Sequence, residues 1–440
     1  MPFTDLEFAR SQMALSLAFH IVFAVVGIGM PLLMVIAEGL YLRTGRLVYL
    51  DLTKRWAKGT AILFAVGAVS GTVLSFELGL LWPTFMEHAG PIIGMPFSLE
   101  GFAFFTEAIF LGLFLYGWNR VPPLAHWLSG VMVALSGAVS GIFVVTANAW
   151  MNAPTGFTFV DGQFTGIDPV AAMLNPASLH QVLHMTLAAY VATGFGVTGI
   201  HAFFLLRKPD SAFHRAAFVL SAALGCVAIP LQIASGDLAA RRVAELQPAK
   251  LAAMEAHYHT GPRAPFVIGG VPDSDTQTVR GAIEIPAALS ILVGGSPDAV
   301  VTGLDQFPRD QWPNVKLVHW SFDIMVACGI AMLALAGWAG VAAWKARRSG
   351  APPGRALLRA FVWATPLGFI AVETGWFVTE LGRQPWIIYG YMRTVDALTP
   401  MPGLVVPFAA VTLVYLVLSV VVVLLMKRQF LEAPDAPLRR

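Results

Sequence analysis

The chain has 440 residues, 57% of them hydrophobic and only 12% charged, with a mean hydropathy of +0.69. A soluble domain carries about a quarter charged residues, so this composition excludes a soluble enzyme and points to an all-α integral membrane protein. The formal net charge of +2 comes from basic residues spread between apolar runs, not gathered in a patch, and gives no support to a nucleic-acid partner.

Apolar runs of about 20 residues, enough to cross a bilayer, lie at roughly 12–37, 59–82, 97–118, 124–149, 178–206 and 214–235. Three more lie at roughly 314–343, 357–379 and 403–426, which predicts about nine transmembrane helices. The first run has neither a basic leader nor a small-residue cleavage pattern, so it is expected to remain as a membrane anchor. Lys and Arg cluster after the first, third, fifth, seventh and ninth runs, whereas the loops near 83–96 and 150–177 contain none. The positive-inside rule then puts the N-terminus outside and the C-terminus in the cytoplasm.

Between the sixth and seventh runs lies a polar stretch at about 236–313, rich in Pro and Gly and far longer than an ordinary connection. By the same rule it faces outward. Its first part, ELQPAKLAAMEAHYHT, reads as an amphipathic helix with Lys250 and Glu255 near each other. The chain thus divides into a six-helix region (1–235), an outer loop (236–313) and a three-helix region (314–440).

Polar groups inside apolar runs are costly and tend to mark function. In chain order, His20 sits in ALSLAFHIVF, where it is either hydrogen-bonded to a neighbouring helix or a metal ligand. Glu77 is a further intramembrane acid. Glu100 and Glu107, in LEGFAFFTEAIF, share one helix face two turns apart. They read either as a proton relay or as buried carboxyls that join helices. Ser140, Asn148 and Trp150 offer polar groups that could extend such a network. His180 and His184, four apart in NPASLHQVLHM, could hold a metal directly, although one histidine offered axially to a haem is more economical. Met325, in SFDIMVACG, is of interest only with such a partner, because His and Met form an axial pair for low-spin haem. Near the end of the eighth run, GWFVTELGRQPW (375–386) crowds Glu380 and Arg383 between Trp376 and Trp386, with Glu373 on roughly the same face. Cys226 and Cys328 lie in apolar runs and support neither a disulfide framework nor a zinc site. The chain has no CxxCH for covalent haem and no phosphate-binding GxxxxGK[ST].

Taken together, GWFVTELGRQPW, ALSLAFH, SLEGFAFFTEAIF, VVTANAWMNAP, LHM after NP, KLAAMEA and IMVACG resemble, in order and over nearly the whole chain, subunit I of the cytochrome bd-type quinol oxidases. The resemblance implies a terminal respiratory oxidase of the bacterial inner membrane. Such an enzyme oxidises quinol at the outer face, reduces O2 to water, and builds proton motive force without pumping. It implies His184 and Met325 as ligands of a low-spin b-type haem. It implies His20 and Glu380 as ligands of a high-spin b-type haem and of haem d, or of a third haem b in its place, with Arg383 beside them. It further implies Lys250 and Glu255 as quinol positions, Glu100, Glu107 and Ser140 on the proton route, and as partners a subunit II and a small single-helix subunit. Asp323 departs from the pattern, since some members carry arginine there, and the loop is of the short type. Two other readings compete. A proton-coupled transporter should show inverted repeats, and none is seen. A haem electron carrier without oxygen chemistry would leave His20, Glu380 and the paired acids without a role.

Overall fold

In the computed structural model, residues 4–349 and 352–430 are described. Four long helices come first: α1 (Asp5–Thr44), α2 (Leu47–Leu81), α3 (Pro83–Tyr116) and α4 (Pro123–Asn152). Local chemistry sets their ends. Thr4 and Glu7 form a capping box at the start of α1, and Gly45, at φ 66°, closes it in the left-handed conformation. Pro83 and Pro123 open α3 and α4, where a missing N–H costs nothing. A short hairpin of β1 (Thr158–Val160) and β2 (Gln163–Thr165) and the small helix α5 (Pro169–Met173) lead to α6 (Ser178–Arg207) and α7 (Ala212–Leu246).

The long loop holds α8 (Pro248–Met254), two antiparallel strand pairs and α9 (Ala288–Gly294). The pairs are β3 (Phe266–Ile268) with β6 (Ile283–Ile285), and between them β4 (Val271–Asp273) with β5 (Thr278–Arg280). Then come α10 (Val315–Ser349), α11 (Arg355–Ala364), α12 (Leu367–Arg383), the pair β7 (Trp386–Ile388) and β8 (Met392–Arg393), and α13 (Val405–Phe430). Among the described residues nine helical segments are long and apolar enough to cross a membrane, as expected.

Three expectations need correction. Helices such as α1, α4 and α7 overrun their apolar runs at both ends, because the helix continues past the hydrocarbon into polar flanks that hydropathy does not score. The eighth span is not one helix but α11 and α12, broken at Thr365–Pro366, where Pro366 removes a backbone donor. The freed turn is partly served by Thr365 Oγ1, which donates to the carbonyl of Val362 at 2.7 Å. Lastly, ELQPAKLAAMEAHYHT is not one amphipathic helix. Its first two residues end α7, Pro248 starts a new helix, and α8 is buried from Ala249 to Met254.

Helix α6 sits at the centre, packed on α1, α4, α7, α11 and α12. Small residues permit this: a side chain at Gly194 would collide with the backbone of Gly225, and one at Gly199 with Thr365. Helix α13, by contrast, leans on α1 and α2 and leaves Val406, Leu413 and Val423 outward, the pattern of a lipid-facing helix.

Candidate functional site

A cavity of about 780 Å³ opens between α1, α2, α3, α4 and α12. His20, Glu100, Glu107, Asn148, Glu373 and Glu380 line it among Phe, Leu and Ala side chains. His20 reaches it in a defined tautomer. Its Nδ1 lies 2.9 Å from Ser70 Oγ, and that hydroxyl donates to the carbonyl of Val66 at 3.0 Å. Ser70 Oγ must therefore accept from Nδ1–H, which leaves the lone pair of His20 Nε2 free. Opposite, Gly71 keeps room: a methyl there would come within 3.0 Å of His20 Cε1.

The same device recurs on α6. His184 Nδ1 lies 2.9 Å from Ser235 Oγ, which donates to the carbonyl of Gln232 at 2.8 Å. His184 Nε2 therefore keeps its lone pair, toward which the Gln232 amide donates at 3.0 Å. Gln232 Oε1 is buried without a hydrogen-bond partner. Gly236 approaches His184, and Gly375 of α12 approaches Met325, where a methyl would stand 3.0 Å from the sulfur. Neither histidine joins a cluster: among the described residues no three His, Cys, Asp or Glu stand together as metal ligands. The alternative of a directly bound metal at His180 and His184 thus finds no further ligand. Consecutive residues face opposite ways here. Met185 and Trp376 line the cavity, whereas their chain neighbours His184 and Gly375 meet Ser235 and Met325, respectively.

Of the acids, Glu100 and Glu107 both turn toward α4. Ser140 donates to Glu100 at 3.1 Å, and Glu107 lies against Gly137, one turn from Ser140. Glu107 is 6% exposed, while Glu373 has both oxygens buried and unpartnered. Glu77 is different: Gln12 and Ser16 donate to the same oxygen at 2.9 and 2.8 Å, so it joins α1 to α2. Trp150 is likewise structural, its indole N–H bound to the carbonyl of Thr155.

Glu380 ends in a chain of side chains. Arg383 donates to its Oε2 at 2.6 Å, and Asn148 Nδ2 donates to its Oε1. Arg383 is 2% exposed, and its Nε and Nη1 have no partner. Asn152 donates to Asn148 Oδ1 at 3.1 Å, and Lys250 Nζ donates to Asn152 Oδ1 at 2.6 Å. Lys250 and Glu255, near each other in the sequence, form no ion pair among the described residues, and Lys250 Nζ is engaged by Asn152. Burial pushes the Lys250 amine well below its ordinary range, Arg383 lowers it further, and Glu380 works the other way. Glu255 is fully buried with both oxygens unpartnered. Burial pushes its carboxyl well above the usual range, and the charge of Asp323 adds to this. Asp323 itself accepts from the N–H of Gly269 at 2.7 Å and tethers the loop to α10.

Sequence reading missed Ser70, Ser235, Gln232 and Asn152, because hydroxyl and amide groups in apolar helices are common and their partners lie on other helices. It also passed over Glu38 and His126, a buried pair at 2.7 Å far from the loop. Both are intramembrane ionisable residues, so the signal was present.

The residues fit haem on this chain's own geometry. Two imidazoles are held through Nδ1 by a serine, as metal-bound histidines are held through their second nitrogen; Nε2 is free on His20 and meets the Gln232 amide on His184. Glycines clear the space beside both and beside Met325, and the Arg383 guanidinium carries unpaired donors suited to an acidic group. Comparison with known proteins agrees. The family described as cytochrome bd terminal oxidase subunit I matches residues 8–434. The chain is 36% identical over 434 residues to the putative cytochrome bd menaquinol oxidase subunit I of Bacillus subtilis (strain 168), covering 98% of this chain and 97% of that one. It is 30% identical over 502 residues to the cytochrome bd-II ubiquinol oxidase subunit 1 of Escherichia coli (strain K12), covering 98% and 97%. The structure of the bd oxidase from Geobacillus thermodenitrificans superposes with a TM-score of 0.91 at 37% identity, over 98% of this chain and 99% of that one.

Proposed function

The chain belongs to the cytochrome bd terminal oxidase subunit I family, and from that premise we propose how its residues share the work. It is a haem-containing quinol oxidase subunit of the bacterial inner membrane that passes electrons from quinol to O2. Haem, when bound, supplies the one-electron steps and the iron at which oxygen is reduced.

His184 and Met325 hold a low-spin b-type haem near the loop, and Ser235 fixes the imidazole for it. His20 and Glu380 hold the two haems of the cavity, a high-spin b-type haem and either haem d or a third haem b. Arg383 balances the Glu380 charge. Quinol is oxidised at the loop, which faces outward, and Glu255 is the fully buried acid there. Protons for water come from the opposite face through Glu107 and Glu100. These two are two helical turns apart, about 10 Å, so Ser140 and cavity water bridge them. Charge then crosses the membrane without a pump, because electrons and protons reach the cavity from opposite sides. A second membrane subunit and a small single-helix chain complete the complex. Two relatives are named for menaquinol and ubiquinol respectively, and the substrate proposed here is a quinol of that class.

The observation that carries this reading is the repeated histidine–serine device at two places, only one of which opens on a cavity lined with carboxyls. A reduced-minus-oxidised absorption spectrum of the purified complex, with pigment extraction, tests it. Low-spin b-type absorption plus a chlorin band would establish haem d, and b-type bands alone with quinol oxidation retained would place a third haem b there. A purified complex without haem would overturn the reading.

A further inference from the structure

The backbone that carries Glu255 is fastened to one turn of α10. Glu255 follows the last residue of α8, and Ala256 after it stands at φ 47°. A residue with a side chain adopts that left-handed conformation at a steric cost, and the turn persists only where its surroundings fix it. The carbonyl of Met254, just before Glu255, accepts from His319 Nδ1 at 2.8 Å. On the other edge of the ring, His319 Nε2 donates to the carbonyl of Gly269 at 2.9 Å. Carbonyl oxygens only accept, so both ring nitrogens carry hydrogen and the ring is an imidazolium. His319 is 0% exposed, and Asp323, one turn along α10, supplies the opposite charge at 3.3 Å.

The second arm of the loop is held by the same turn of helix. Asp323 accepts the N–H of Gly269, and Trp320 donates its indole N–H to the carbonyl of Gly270 at 2.8 Å. Gly269 and Gly270, at φ 68° and 83°, link β3 to β4. Val267 of β3 and Asp323 are both near enough to act on the Glu255 carboxyl, so the two arms meet around it. Met254 and Phe322 share one apolar cluster, and Met325, six residues beyond His319, packs against it. One helix thus sets the buried acid and the methionine in a common frame.

We infer that His319 is a positioning residue for quinol oxidation: its ring clamps the Met254 and Gly269 carbonyls and so fixes Glu255 against the part of α10 that carries Met325. This rests on the reading of the loop as the quinol site and of Glu255 as its acid. Both ring hydrogens are spent on the protein, so His319 acts through Glu255 and does not itself touch quinol.

The test uses the whole oxidase complex carrying His319→Gln. The two carbonyls lie at different edges of the ring, so one amide nitrogen serves only one of them. The KM for quinol should rise about tenfold, the effect of one buried hydrogen bond lost. Haem content, the low-spin band and oxygen consumption driven by tetramethyl-p-phenylenediamine, a one-electron donor that needs no acid at the loop, should stay at wild type. A role in folding alone would lower haem content and both turnovers together. That outcome would overturn the inference, as would an unchanged KM. The double variant with Glu255→Gln should be no worse than Glu255→Gln alone, whereas losses that multiply would show that His319 does not act through Glu255. If His319→Gln fails to assemble, Gly269→Ala decides. A methyl there meets no atom within 4 Å, yet the left-handed φ is strained for alanine and displaces the carbonyl that Nε2 holds. A raised quinol KM with dye-driven turnover intact supports the clamp, and an unchanged KM overturns it. Failure of the underlying reading looks different, because Glu255→Gln alone would then leave quinol kinetics at their wild-type values.

Discussion

Two sites stand back to back across α6 and α12, and they are built from the same part with different surroundings. Each has a histidine whose Nδ1 is held by a serine that is itself fixed to a backbone carbonyl. Around His20 lie a cavity of about 780 Å³ and the carboxyls of Glu100, Glu107, Glu373 and Glu380. Around His184 lie Ser235, Gln232 and Gly236, and no carboxylate contact is present among the described residues. Electron transfer needs a rigid ligand pair and little else, whereas reducing oxygen to water consumes protons and needs acids and room. On the proposed assignment, the difference in acid content separates relay from chemistry more clearly than the ligands do.

The largest effects should come from removing one ligand on each side. His184→Leu should abolish the low-spin band and quinol-driven turnover but spare the cavity bands. Glu380→Ala should spare the low-spin band and cut oxygen consumption by at least about a hundredfold. If both variants lose the same bands, the two sites are not independent and the comparison fails. Glu107→Gln removes a proton carrier without touching a ligand. Oxygen reduction should slow by about a hundredfold, while single-turnover reduction of the low-spin haem by quinol keeps its wild-type rate in stopped-flow absorption.

Smaller effects sharpen the parallel between the two serines. Ser70→Ala should alter only the cavity bands and Ser235→Ala only the low-spin potential, each with a loss of about tenfold or less in turnover. Redox titration of the two variants reads this directly. The smallest effect concerns the loop. Folding raises the pKa of Glu255 above its unfolded value. Its contribution to stability is therefore complete below the ordinary carboxylate range and is lost as pH rises through the folded value. Resistance of the loop to proteolysis should fall as pH rises above the ordinary carboxylate range, and Glu255→Gln should flatten that decline.

The mirrored pair of sites was half visible in the sequence. His20, His184, Met325 and Glu380 stood out because ionisable and sulfur-bearing side chains are conspicuous in apolar runs, and the Glu380–Arg383 pair is local, three residues along one helix. Ser70, Ser235 and Asn152 did not stand out. Each makes an ordinary polar side chain meaningful only through a partner 98, 51 or 50 residues distant. Pro366 was visible but was read through, since hydropathy averages over a break that Thr365 and Gly199 accommodate in three dimensions.

The sequence by itself determined the nine spans, the long loop between the sixth and seventh, and the residue types able to hold haem. A bilayer demands about 20 apolar residues per crossing and penalises every exception, so these features are written in consecutive residues. Tertiary structure alone decided which exceptions meet: Lys250 with Asn152, Asn148 with Glu380, Glu107 with the gap at Gly137. Those meetings depend on the depth and rotation of each helix against its neighbours. In lipid these are set by close packing at small residues, which no single helix's pattern specifies.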